Sequence, residues 1–100
     1  MTTTSEVGYM HPAQKALRRV VAEITAIIPR DLKGDKYWDM TVEAHDAFHD
    51  AVLACEANDC AETRDAVRRT GRAWKEAWLR AGRAWAADQG RADRARKENA

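Results

Sequence analysis

The residues that could do chemistry cluster in the middle of the chain. His45 and His49 are spaced i, i+4, as two metal ligands on one helix would be. Asp46 and Asp50 are neighbours, but on a helix they turn away by about a quarter of a circle. No glutamate between the histidines makes a zinc-protease signature. Cys55 and Cys60 lie too far on to join them, since ten helical residues span about 15 Å. Both histidines fall between Val42 and Val52, so they read as core-edge side chains hydrogen-bonded to carboxylates or backbone. No metal and no other cofactor is expected.

Nucleophilic and acid–base chemistry is poorly provided for. The one serine, Ser5, lies near the N-terminus. A cysteine–histidine site would need Cys55 or Cys60 to meet a histidine from another helix, and His11 is the one histidine outside the His45/His49 segment. Paired carboxylates need a cleft that shifts their pKa values apart. A small bundle with exposed acids promises no such cleft, so the chain is expected not to be an enzyme. The two cysteines read as small buried thiols of a reducing compartment. A disulfide between them would close a very short loop, where the entropic gain is small.

What remains are charged and aromatic surfaces. Asp39, Glu43, Asp46 and Asp50 recur every three or four residues, which lines them along one helix face. Like charges at that spacing repel by a few tenths of a kcal/mol per pair. They call for cations, either from the rest of the chain or from a partner. Net charge is +1 overall, but residues 31–60 carry −6 and residues 61–100 carry +5. The basic side is Arg68, Arg69, Arg72, Lys75, Arg80 and Arg83, opposite a stripe of Val67, Trp74, Trp78, Ala81 and Trp85.

The elements that position these groups are three helices. Pro12 opens the first, where its missing amide costs nothing. Ala13, Leu17, Val20, Val21, Ile24, Ile27 and Ile28 give it a helical stripe, and Pro29 ends it. Gly34-Asp35 supplies a turn. A second helix is expected to start between Trp38 and Thr41 and to run to about Ala57, with Trp38, Val42, Phe48, Val52 and Cys55 inward. A third runs from Asp59, its N-cap with Glu62 three residues on, to about Asp88. Gly90 is expected to stop it. Gly71 and Gly82 lie within it, and close approach of another helix at both is the expected compensation for their cost.

The expected fold is all-α, an antiparallel three-helix bundle with a long third helix. A disordered tail covers residues 1–11, the bundle 12–90, and a charged mobile tail 91–100. The third helix, about 45 Å long, should overhang the bundle, leaving Trp85 and Leu79 exposed as a contact point. No apolar run approaches the roughly 20 residues that span a bilayer, and the N-terminal residues lack a signal-peptide pattern. A cytoplasmic protein is expected.

In size, in its acidic row of Asp39, Glu43, Asp46 and Asp50, and in its lack of catalytic groups, the chain resembles the small all-helical phage-encoded inhibitors of the anti-CRISPR type over residues 12–90. The resemblance implies a protein of the host cytoplasm that blocks a CRISPR effector, a ribonucleoprotein complex, by occupying its nucleic-acid or subunit-contact surface. The expected contacts are the acidic row on partner Lys and Arg, with Trp85 and Arg83 at the helix end adding area. The alternative is a small nucleic-acid-binding or assembly protein, dimeric in one form, that works through the Arg-rich face of the third helix.

Overall fold

The computed structural model describes residues 10–99, which form α1 (Pro12–Ile27), α2 (Asp35–Ala57) and α3 (Ala61–Glu98). Residues 1–9, most of the expected N-terminal tail, and residue 100 lie outside the described residues. His11 caps α1: its Nδ1 accepts the Ala13 amide at 3.0 Å, and Pro12 takes the first helical position. Ile28 is extended, as the residue before a proline must be, and the helix ends there.

Gly34 makes the bend into α2 with φ of +115°, a conformation that glycine adopts without strain. The helix then begins at Asp35, earlier than the expected start at Trp38 to Thr41. The cause is tertiary. The Tyr37 hydroxyl donates to Asp88 at 2.5 Å, and the Lys36 ammonium sits 2.7 Å from the same carboxylate. The first turn of α2 is thus tied to the far part of α3, fifty-one residues away.

This clasp has a pH signature. The hydrogen bond from Lys36, then that from Tyr37, holds the Asp88 carboxyl at about 2, below its ordinary 3.8. A carboxyl depressed in the folded state stabilises fully above its unfolded pKa, and its contribution fades as pH falls from 3.8 towards 2. At neutral pH, Asp88→Asn is therefore expected to melt below the wild type. The two melting temperatures should converge between pH 4 and 2; a constant gap across that window would refute the clasp.

α3 starts one residue later than expected. Its N-cap is Cys60, not Asp59: the Thr63 hydroxyl accepts the Cys60 amide at 3.0 Å and donates to the Asn58 carbonyl at 2.7 Å. Asp59 is engaged instead by the Arg64 guanidinium at 2.5 and 2.9 Å. Nor does Gly90 end the helix. It lacks the positive φ of a glycine stop, and α3 continues to Glu98. Alanines and the i, i+3 pairs Arg91–Asp88 and Arg96–Asp93 carry it through. The expected mobile tail 91–100 is helix over its described residues as far as Glu98.

The fold is the expected all-α three-helix bundle. α1 and α3 run the same way and α2 runs against both. α3 packs on each of the others, while α1 and α2 touch each other less. The core is Ala13, Val20, Ile24, Phe48, Val52, Cys55, Val67, Trp78 and Ala81, with Tyr37 at one end. Ala51, Ala77 and Ala81 are buried, and their small side chains let neighbouring helices approach closely. The buried face of α2 is therefore Tyr37, Thr41, Phe48, Ala51, Val52 and Cys55, rather than the side carrying Trp38 and Val42. Buried Thr41 meets its hydroxyl's demand by donating to the Trp38 carbonyl at 2.8 Å.

The two internal glycines of α3 part company. At Gly71 a methyl group would meet Phe48 and Val20. At Gly82 it would meet nothing within 4 Å, so the expected close approach is absent there. Gly82→Ala should raise stability by about 0.4–1 kcal/mol, read as a higher melting temperature. A fall would show that the position needs glycine for another reason.

Candidate protein-docking face

The residue types of α2 fall into bands around its axis. About a third of a turn from the buried face lies a stripe of Trp38, Val42, His45, His49 and Leu53, at steps of four, three, four and four residues. All five are exposed, Trp38 at 52%, Val42 at 48% and Leu53 at 52%. Beside this stripe runs the acidic row of Asp39, Glu43, Asp46 and Asp50, also exposed. α2 therefore shows water an apolar stripe and a charged one, side by side.

The stripe has a floor from α3. Trp38 meets buried Trp78 edge-on at 4.7 Å between ring centroids. His45 meets Trp74 edge-on at 5.1 Å, and Phe48 supports Trp74 from below at 5.6 Å. Trp38, His45, Trp74 and Trp78, with Thr41 and Val42, line an open hollow of about 210 Å³. The Trp74 indole N–H is buried without a hydrogen-bond partner among the described residues. An orphaned donor of that kind costs about 1–3 kcal/mol, which the aromatic contacts around the ring must offset.

Among the described residues the acidic row meets no lysine or arginine, and Asp46 touches only His45, at 3.1 Å. The arginines that could have met it are elsewhere. Arg68 and Arg69 pair with Asp65, Arg64 with Asp59, and Lys75 with Glu23 across the α1–α3 seam at 3.4 Å. Arg19, Arg68, Arg72 and Lys75 rim a groove of about 280 Å³ between α1 and α3, floored by Ala16, Val20, Val67 and Gly71.

Of the expected helix end, Arg83 is exposed but Trp85 is not. Trp85 is half-buried against the core and lines a shallow hollow with Ile27, Pro29, Leu79 and Gly82; Arg83 stands exposed on its rim, and Leu79 is exposed as expected. The early start of α2 moves the overhang outward, and it consists of the charged turns after Asp88. The exposed tryptophan of this protein is Trp38.

Other chemistry finds no support in the geometry. The His45 and His49 rings stack 6.2 Å apart and are exposed, not placed inward as expected. No group of three or more His, Cys, Asp and Glu among the described residues is placed to hold a metal. Both cysteines are free, Cys55 buried and Cys60 partly so, and hydrogen bonding with the Thr63 side chain and backbone lowers the Cys60 thiol below its ordinary pKa. No helix among the described residues is long and apolar enough to cross a membrane.

The fold and this face define the chain's class: a three-helix bundle in which one helix carries a paired aromatic and acidic surface. In comparisons with known proteins no family model, no curated protein and no solved structure matches it.

Proposed function

We propose that the chain is a non-enzymatic protein-binding module whose docking face is the outward side of α2. The observation that carries this reading is the acidic row, which pairs with no lysine or arginine among the described residues, set beside an exposed aromatic stripe. Carboxylates on a rim steer a basic partner into register and raise its on-rate. A tryptophan beside a hollow supplies the apolar anchor on which affinity concentrates. A basic protein surface that ordinarily contacts nucleic-acid phosphates has the matching chemistry. An inhibitor of a nucleic-acid-handling complex, the anti-CRISPR type included, is the specific form of this reading. It places Asp39, Glu43, Asp46, Asp50 and Trp38 at the contact, with Trp85 and Arg83 outside it.

The test is capture from cell lysate treated with nuclease, comparing the wild type with Asp46→Lys/Asp50→Lys, Trp38→Ala and Arg72→Glu. A nucleic-acid-handling protein retained by the wild type and Arg72→Glu, but lost with the other two, is the expected result. Retention that disappears with nuclease and with Arg72→Glu would overturn it. That outcome would favour nucleic-acid binding through the groove between α1 and α3.

A further inference from the structure

The charged faces of this molecule match each other in length and oppose each other in sign. Asp39 and Asp50 stand eleven steps apart along α2, about 16 Å at 1.5 Å per residue. Arg64 and Lys75 stand eleven steps apart along α3, the same length. Arg64, Arg68, Arg72 and Lys75 form the α3 rim of a groove whose other side is α1, with Arg19 projecting from it. Two adjoining hollows of about 280 and 220 Å³ make up the groove, sharing Ala16, Arg19, Val67 and Arg68.

The groove floor is built from small side chains: Ala13, Ala16, Val20, Val67 and Gly71. Helices pack 8–10 Å apart depending on the side chains between them, and this floor suits the near end of that range. Glu23 also lines the groove and pairs with Lys75, and Arg68 pairs with Asp65, while Arg19 and Arg72 make no ion pair among the described residues, so the groove keeps a net positive charge. The acidic row lines neither hollow, so the two faces cannot meet inside one molecule.

We propose that the occupant of this groove is α2 of a second copy of the same chain. Val42, His49 and Leu53 of the incoming helix meet the small floor. The acidic row beside them meets the arginine rim. The contact is heterologous, because the face used by one copy differs from the face used by the next. Each copy keeps one face free, so assembly proceeds head to tail into a closed ring or an open chain. The inference needs only the chain itself and does not rest on the reading above. The second copy covers the same side of α2, so self-assembly and partner binding exclude each other.

The experiment is sedimentation of the full chain over a range of concentrations, at low salt and at 1 M salt, where the screening length shrinks to about 3 Å. The wild type is expected to gain mass with concentration at low salt and to return to a single chain at high salt. Two variants, Asp46→Ala/Asp50→Ala and Arg68→Ala/Arg72→Ala, each remove one face. Alanine at these exposed helical positions favours the helix, and circular dichroism checks that the fold is kept. Each variant alone is expected to associate roughly tenfold or more weakly than the wild type. Mixed together, they share one intact pair of faces and should stop at two copies. A wild type that stays monomeric at every concentration overturns the proposal. So does either variant associating as the wild type does, which marks a symmetric or unrelated contact. A mixture that grows beyond two copies overturns it as well.

Discussion

Phe48→Ala is expected to cost about 3–5 kcal/mol, much of the 5–15 kcal/mol that holds a typical domain together. Phe48 is 1% exposed and is the side chain where all three helices meet. Its ring lies against Trp74 at 5.6 Å, and it borders Gly71 of α3 on the side where Val20 of α1 also arrives. Removing the ring leaves a cavity bounded by rigid neighbours, so the site collapses poorly and the cost falls high in its range. For a domain of this size each kcal/mol lowers the melting temperature by about 4–8 °C. Thermal unfolding followed by circular dichroism would measure it. A loss under 1 kcal/mol would mean that α1 and α2 do not converge on this ring. The exposed stripe of α2 offers the contrast: Leu53→Ala removes a comparable apolar side chain from water-facing surface and should stay within about 0.5 kcal/mol of the wild type.

The three helices were legible because their signals are local. Pro12, Pro29 and Gly34 punctuate the chain, and the stripe from Ala13 to Ile28 has an unambiguous period. What was not legible depends on contacts far apart in sequence. α2 starts at Asp35 because Asp88 reaches Lys36 and Tyr37, and no pattern within residues 35–41 announces that. α3 passes through Gly90 because nothing there demands a positive φ, which composition alone cannot reveal.

The candidate face was half legible for a related reason. The acidic row could be read from its spacing, and it stands on one exposed side of α2. The aromatic stripe beside it was assigned to the core, because Trp38 and Val42 are the apolar residues that a hydrophobicity pattern picks first. α2 carries two competing apolar stripes, about a third of a turn apart. The buried one contains Tyr37, Thr41, Phe48, Ala51, Val52 and Cys55. It meets Gly71 and Val20 through Phe48 and Asp88 through Tyr37, contacts that a pattern of hydrophobicity within α2 does not show. Trp85 is half-buried for another long-range reason: the end of α1 at Ile27 and the corner at Pro29 lie beside it, which the length of α3 alone does not reveal.

Gly71→Val is expected to destabilise by about 1–3 kcal/mol, and the direction follows from the space around the residue. A Cβ at this position would lie 3.1 Å from both a Phe48 ring carbon and a Val20 methyl carbon, so neighbours must move even for alanine. Valine adds two more methyl groups in a seam that α1 and α2 share. The contact is specific, so the cost should depend on Phe48. In the Phe48→Leu background the side chain opposite lacks the ring carbon that clashes, and Gly71→Val should cost less than it does in the wild type. Residues in direct contact couple by about 0.5–3 kcal/mol, so the double-mutant cycle should close with a coupling in that range and with a sign that relieves strain. Purely additive costs would place the strain in the helix backbone instead. The same substitution at Gly82, where no atom stands within 4 Å of the new Cβ, should cost little, which separates steric crowding from any general intolerance of valine in α3.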